Sequence, residues 1–202
     1  MRLYCIRHGE SAWNEEQRIQ GQADIGLTPR GRAQAAALAE RLAHLPIGAV
    51  LSSDLRRAVE TAQPIAARHG LIPQLVPALR ERHFGIYQGL TFEEVAARDP
   101  FGWEAIFAGD GCPPGGERRA EVLARVERFL EALRAAPPAE HVVVVGHGGS
   151  IRALVLALLG LPLAAAWQLR VDNGGVTVFA CYPEGAILET FNDTCHLPEE
   201  ER

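Results

Sequence analysis

Short apolar runs alternate along this chain with longer stretches in which alanine and leucine recur at helical spacing, an order that predicts alternating strands and helices. The first run, Leu3-Tyr4-Cys5-Ile6, breaks off at Arg7-His8-Gly9-Glu10, so a strand ends where charge begins. Thr28 is a good N-cap and Pro29 suits the first helical position, which predicts a helix from about Pro29 to His44 with Ala33, Ala36, Ala37, Leu38 and Leu42 on its apolar face. Ile47 to Leu51 reads as a second strand, and Ser52-Ser53-Asp54 offers a cap for a helix from about Leu55 to His69. Gln74 to Leu79 reads as a third strand.

From Arg80 to Glu117 the pattern loosens. Short helices are predicted at Thr91 to Arg98 and near Trp103, and Pro113-Pro114-Gly115-Gly116 is a breaker, so the segment 82–116 reads as a flap on a single domain spanning 1–202. A long helix follows over Glu117 to Ala135. His141-Val142-Val143-Val144-Val145 is β-branched without interruption, as a central parallel strand covered on both faces requires. Gly146-His147-Gly148-Gly149-Ser150 turns into an apolar helix, Ile151 to Leu159, and Val176 to Tyr182 with Ala186 to Phe191 predict a closing antiparallel hairpin.

Parallel strands present their carboxyl ends on one edge, and here those ends carry Arg7-His8, Ser52 to Arg57, Arg80-Glu81 and Gly146-His147-Gly148. Two histidines, several arginines and a glutamate therefore converge. Guanidinium forks beside helix amino termini, at Asp54 and Gly149, make an anion site that suits a phosphoryl group, and a neutral imidazole within it could attack phosphorus.

Composition narrows the chemistry. The net charge is −5, which argues against nucleic acid and against an anionic membrane as partners. All twenty basic residues are arginine; without lysine there is no P-loop lysine, Schiff base or kinase strand lysine. No Gly-x-Ser-x-Gly elbow of a serine hydrolase occurs. Cys5, Cys112, Cys181 and Cys195 form no Cys-x-x-Cys pair and are read as reduced thiols, and the amino terminus has no signal-peptide pattern, so a cytoplasmic location is expected.

In order along the chain, Arg7-His8-Gly9-Glu10-Ser11-Ala12-Trp13-Asn14, Gly21-Gln22-Ala23-Asp24, Leu27-Thr28 with Gly31, Ser52 to Ala58 with Thr61, Glu81-Arg82-His83-Phe84-Gly85, Pro114 to Glu117 and Val145 to Gly149 resemble the histidine phosphatase superfamily, the phosphoglycerate mutase-like proteins. The resemblance spans nearly the whole chain. It implies a three-layer α/β/α sandwich with a mostly parallel central sheet and an antiparallel edge. It further implies that His8 becomes phosphohistidine, oriented by a backbone carbonyl such as that of Gly9. Arg7, Arg57 and His147 would hold the phosphoryl oxygens, with His147 cationic in the transition state. Asn14 would add a hydrogen bond, Gln20 and Gly148 would complete the phosphate-binding set, and Glu81 would protonate the leaving oxygen and activate water. It implies neither metal nor cofactor.

Within that superfamily a mutase shields its phosphohistidine from water. Cofactor-dependent phosphoglycerate mutases carry Asn-Lys after a Gly-Leu pair, whereas Gly89-Leu90 precedes Thr91-Phe92 here, and the stretch from Glu81 to Gly116 is too short for the mutase insertion. Hydrolysis of a small phosphorylated metabolite is therefore expected, as in the cofactor-independent branch of PhoE-like phosphatases and α-ribazole phosphatase. A phosphoglycerate mutase and an idle phospho-ligand scaffold are the alternatives, and a homodimer is left open. Substrate contacts are expected from Phe84, Tyr87, Phe92, Trp103, Ile106 and Phe107; Trp13, Trp103 and Trp167 are expected as packing anchors, Arg118 and Arg119 as solvated. The ending Asn192 to Leu197 is expected to fold back near the site mouth.

Overall fold

The computed structural model describes residues 1–102 and 110–199. Strands β1 (Arg2–Arg7), β2 (Ala49–Ser52), β3 (Gln74–Leu75), β4 (His141–Gly146), β5 (Val176–Tyr182) and β6 (Gly185–Asp193) form one sheet in the order β3-β2-β4-β1-β5-β6. The first four run parallel, and β5 and β6 add an antiparallel edge. The helices are α1 (Ala12–Glu15), α2 (Pro29–Leu42), α3 (Arg56–Arg68), α4 (Phe92–Arg98), α5 (Arg119–Ala135) and α6 (Gly148–Leu159).

Two cores, one on each face of the sheet, explain the valine run. Val142 and Val144 of β4 point with Leu3 and Cys5 toward α5 and α6, where Val126, Leu130, Leu154 and Leu158 meet them. Val143 and Val145 point the other way, with Tyr4 and Ile6, onto Leu38, Leu42, Ala62 and Ile65 of α2 and α3. Both faces are dry, so both alternating sets must be apolar. A third, small cluster of Ile19, Tyr87 and Val95 lies beneath Phe84 and Leu90. The result is the three-layer α/β/α sandwich expected.

Several expectations shift. The apolar stripe of α2 runs through Ala35, Leu38, Ala39 and Leu42, while Ala33 and Ala36 face solvent. Strand β3 stops at Leu75, because Pro77 lacks the N–H a longer strand would need and opens a 3₁₀ turn, Pro77–Leu79, instead. Helix α3 is not capped by Ser52-Ser53-Asp54: the Arg56 N–H donates to Asp24 Oδ1 at 2.7 Å, from the Gly-Gln-Ala-Asp loop, while Asp54 pairs with Arg80. Helix α5 begins two residues later than expected because Glu117 is occupied elsewhere, as described below. The helix expected near Trp103 lies outside the described residues. The chain's ending folds back onto α2 rather than to the site mouth: Asp193 takes an ion pair from Arg41, and Leu197 is buried. No helix among the described residues is long and apolar enough to cross a membrane.

Leu154 is wholly buried between α6 and the sheet, so Leu154→Ala should lower unfolding free energy by about 3 kcal/mol in a urea titration. Ile72→Ala, at a side chain 86% exposed, should change it by less than about 0.5 kcal/mol. Equal effects would contradict this core.

Candidate active site

The carboxyl ends of β1, β2 and β4 deliver His8, Ser53 and His147 to one place, and all three are buried. His8 Nδ1–H donates to the Gly9 carbonyl at 2.6 Å, which fixes the tautomer and leaves Nε2 as a lone pair. That lone pair accepts the Arg57 Nε–H at 3.2 Å. The same N–H lies 3.1 Å from His147 Nδ1, so His147 too presents a lone pair, and its Nε2–H donates to Ser53 Oγ at 2.8 Å. The two rings meet edge to face with centroids 5.0 Å apart.

Arg57 occupies the first turn of α3 and is 1% exposed. Its Nη2 donates to Gly21 O at 2.7 Å and its Nη1 to Ala23 O at 2.8 Å, so the 21–24 loop both caps α3 and orients its guanidinium. Thr61 ties the same helix to the histidine loop: its hydroxyl donates to Arg57 O and accepts the Gly9 N–H at 3.0 Å. Arg56, its neighbour in sequence, faces solvent and pairs with Glu60.

Burial is the chief cause that drives the His8 and His147 pKa values well below the ordinary histidine value, with Arg57 next. Both rings are neutral here, so the cationic His147 of the sequence reading requires an incoming anion. Arg7 and Arg57 are themselves pushed down to about 10, again by burial first. Arg7 Nη1 donates to Val171 O at 2.6 Å, but its buried Nε–H finds no partner among the described residues.

Asn14 and Gln20 line the cavity with their oxygens already engaged. The Ser11 hydroxyl donates to Gln20 Oε1 at 2.7 Å and the Ser11 backbone N–H to Asn14 Oδ1 at 3.1 Å, which leaves both amide NH₂ groups as donors for an occupant.

Glu81 reaches the site from the opposite side. Its Oε1 accepts the Arg82 N–H at 2.7 Å and its Oε2 the Gly149 N–H at 3.0 Å. A Cβ on Gly149 would lie 2.0 Å from Glu81 Oε1, and one on Gly148 would fall 3.9 Å from Arg7 Nε and 3.8 Å from Glu81 Oε2. The paired glycines therefore keep the start of α6 open to both the carboxylate and the anion pocket.

A clamp that the sequence reading missed fixes the Glu81 backbone. Its carbonyl accepts from Arg125 Nη2 at 3.0 Å and Gln22 Nε2 at 3.1 Å, and Arg125 Nε bonds Glu117 Oε1 at 3.2 Å. Burial works to raise the Glu117 carboxyl, but the bonds from Arg125 and the His83 N–H outweigh it and hold it below its ordinary value. Glu117 belonged to the Pro-Gly-Gly-Glu match, but nothing in the sequence pointed to Arg125 on the far helix.

Around these groups lies a cavity of about 430 Å³. It is lined by Arg7, His8, Asn14, Gln20, Arg57, Glu81 and Gly148, and further out by apolar side chains. Phe84 and Phe92 line it as expected, but Tyr87 is buried below, its hydroxyl donating to Asp99, and Trp103, Ile106 and Phe107 lie outside the described residues. Trp167 is no packing anchor: it is 70% exposed and stands in the cavity wall. Arg119 and Arg152 also line it; Arg152, inside an otherwise apolar helix one turn after Gly148, was the signal passed over. Asp54 is absent from the lining, its carboxylate held by Arg80.

Neutral buried histidines make stability depend on pH. The unfolded chain takes up protons near pH 6.5 while the folded one does not, so their contribution is intact above about pH 6.5 and is lost as pH falls, at roughly 1.4 kcal/mol per pH unit for each histidine. Urea unfolding in phosphate-free buffer from about pH 7 to about pH 5 should show a slope reduced by one histidine's share in His8→Gln. An unchanged slope would contradict the neutral assignment.

Set against known proteins, the family description "Histidine phosphatase superfamily (branch 1)" matches residues 3–194. The chain is 38% identical over 203 residues to phosphoglycerate mutase-like protein 4 of Arabidopsis thaliana, covering 98% of this chain and 87% of that protein. Among solved structures, a mycobacterial glucosyl-3-phosphoglycerate phosphatase complexed with VO3 aligns with a TM-score of 0.89 at 38% identity, covering 96% of this chain and 99% of the other. The α-ribazole phosphatase of Shigella flexneri aligns with a TM-score of 0.89 at 30% identity, covering 96% of each chain. With the sheet, the paired histidines and these likenesses in hand, the chain belongs to the histidine phosphatase superfamily.

Proposed function

We propose that this protein is a phosphomonoester hydrolase that works through a phosphohistidine on His8. The observation that carries the reading is the His8 Nε2 lone pair, fixed by Gly9 O and turned into a pocket of guanidinium groups. His8 Nε2 attacks phosphorus, the bond from phosphorus to the ester oxygen breaks, and Glu81 gives that oxygen its proton. Water then loses a proton to Glu81, attacks the phosphohistidine, and frees His8 and inorganic phosphate.

Arg7 Nε, the remaining Arg57 N–H groups, the Asn14 and Gln20 amides and the Gly148 N–H surround the phosphoryl oxygens. His147 Nδ1, which accepts the Arg57 Nε–H, takes a proton as the anion arrives and becomes a donor. Arginine supplies the positive charge, so the reaction is metal-independent and needs no cofactor. The substrate is a small phosphorylated metabolite, and the free thiols, two of them buried, suit a reducing cytoplasm. Water, not a second glycerate hydroxyl, accepts the phosphoryl group, a reading supported by the absence of lysine and the short stretch between Glu81 and Gly116.

Incubation with p-nitrophenyl phosphate and with 3-phosphoglycerate in EDTA, following phosphate and 2-phosphoglycerate together, tests this directly. Phosphate release should survive EDTA and fall by at least about a thousandfold in His8→Ala. Isomerisation without phosphate release would make the protein a mutase, and turnover intact in His8→Ala would remove His8 from the reaction.

A further inference from the structure

The loop 171–175, in the connection from α6 to β5, belongs to no motif in the sequence reading, yet it grips β1 where His8 leaves the strand. The Gly174 N–H donates to Arg7 O at 3.0 Å and lies 3.3 Å from His8 O. The Arg7 N–H donates to Gly175 O at 3.3 Å, and Arg7 Nη1 reaches Val171 O from the side chain. Asn173 stands at the centre of this loop. Its Nδ2 donates to His8 O at 2.9 Å and lies 3.3 Å from both Gly9 O and Asn14 Oδ1. Three acceptors around one nitrogen fix which way the amide faces, because its oxygen could donate to none of them.

Gly9 O is the carbonyl that takes the His8 Nδ1–H at 2.6 Å. One side chain therefore holds the acceptor that orients His8, the carbonyl of His8 itself, and the Asn14 amide that lines the cavity. Asn173 does not line the cavity, so it acts through these groups and not on an occupant. The loop is braced in turn from the sheet edge. Asn192, on β6, accepts the Asp172 N–H at 2.8 Å and donates to Asp172 Oδ2 at 2.7 Å. It does so from a left-handed backbone, φ 48°, a conformation that persists only where the surroundings enforce it. A Cβ on Gly175 would stand 2.2 Å from Asn192 Oδ1, so that glycine makes room for the brace.

We propose that Asn173 is a positioning residue for His8: it locks the Gly9 carbonyl so that the imidazole presents Nε2 to the cavity in a single orientation. The proposal rests on the hydrolase reading only for its consequence in turnover. A ring free to swing about its Cβ–Cγ bond carries Nε2 off line, and a displacement of about 1 Å at a reacting atom costs on the order of a hundredfold in rate. Side chains that lock a reacting group in this way matter as much as the group's own identity.

Nuclear magnetic resonance of the protein carrying ¹⁵N-histidine, without substrate at about pH 7, reads the orientation directly. The His8 Nδ1–H, assigned by its absence in His8→Gln, should exchange slowly with solvent in the parent protein. It should exchange at least about tenfold faster in both Asn173→Ala and Asn173→Asp. Asn173→Asp keeps the shape and loses the donor, so a packing role alone would leave it like the parent. In Asn173→Ala, kcat on p-nitrophenyl phosphate should fall about thirtyfold while Kd for inorganic phosphate shifts by less than about threefold. Exchange as slow as in the parent in either variant, or in an active parent a kcat that Asn173→Ala leaves unchanged or a loss that falls on Kd alone, overturns the proposal. If the parent hydrolyses no phosphomonoester while exchange responds as expected, the positioning stands and the hydrolase reading falls.

Discussion

One N–H group, the Arg57 Nε–H shared between His8 Nε2 and His147 Nδ1, is the contact on which the site depends. It sets both imidazoles to the same state, neutral with the lone pair inward. A guanidinium so deeply buried must have its other edge satisfied, and the Gly21 and Ala23 carbonyls do this. Those carbonyls belong to the loop that supplies Asp24 to the start of α3, and α3 returns Thr61 to the Gly9 N–H. The strand end, the loop and the helix are thus closed into one circuit of hydrogen bonds around the two histidines.

That arrangement costs stability, and the proposed reaction is what it would serve. Two buried imidazoles whose protonation burial disfavours, and a buried Arg7 N–H without a partner among the described residues, each work against folding, the unpaired donor by about 1–3 kcal/mol. The two dry cores on either side of the sheet hold the fold regardless. On the proposed reading an anion in the cavity offsets these penalties: it would accept the Arg7 Nε–H, favour protonation of His147 and neutralise guanidinium charge that burial disfavours, while His8 stays neutral. Glu81, the proton carrier of the proposed reaction, is held through its backbone by Arg125 and Gln22.

Much of this was legible in the sequence. The valine run of β4 announced a strand covered on both faces, and the polar clusters at strand ends announced a common edge, because strand periodicity and parallel connection are local facts with a global consequence. His8, Glu81 and His147 fell in those clusters, while Arg57 and the role of each residue came from the resemblance to the histidine phosphatase superfamily. What escaped were side chains acting across sequence on backbone groups: Asp24 capping α3, and Arg125 holding the Glu81 carbonyl from another helix. No spacing rule encodes such contacts. Arg152 and Trp167 escaped differently, since an arginine in an apolar helix and a lone tryptophan read as packing until the cavity wall is drawn.

The phosphohistidine mechanism requires that phosphorus be bound to His8 during turnover. Quenching the enzyme in alkali during turnover of a radiolabelled phosphomonoester, then mapping the label to a peptide, answers this directly. The label should be stable in base, labile in acid, and carried by the peptide containing His8. Turnover without protein-bound label, or label on any other residue, would contradict the central claim.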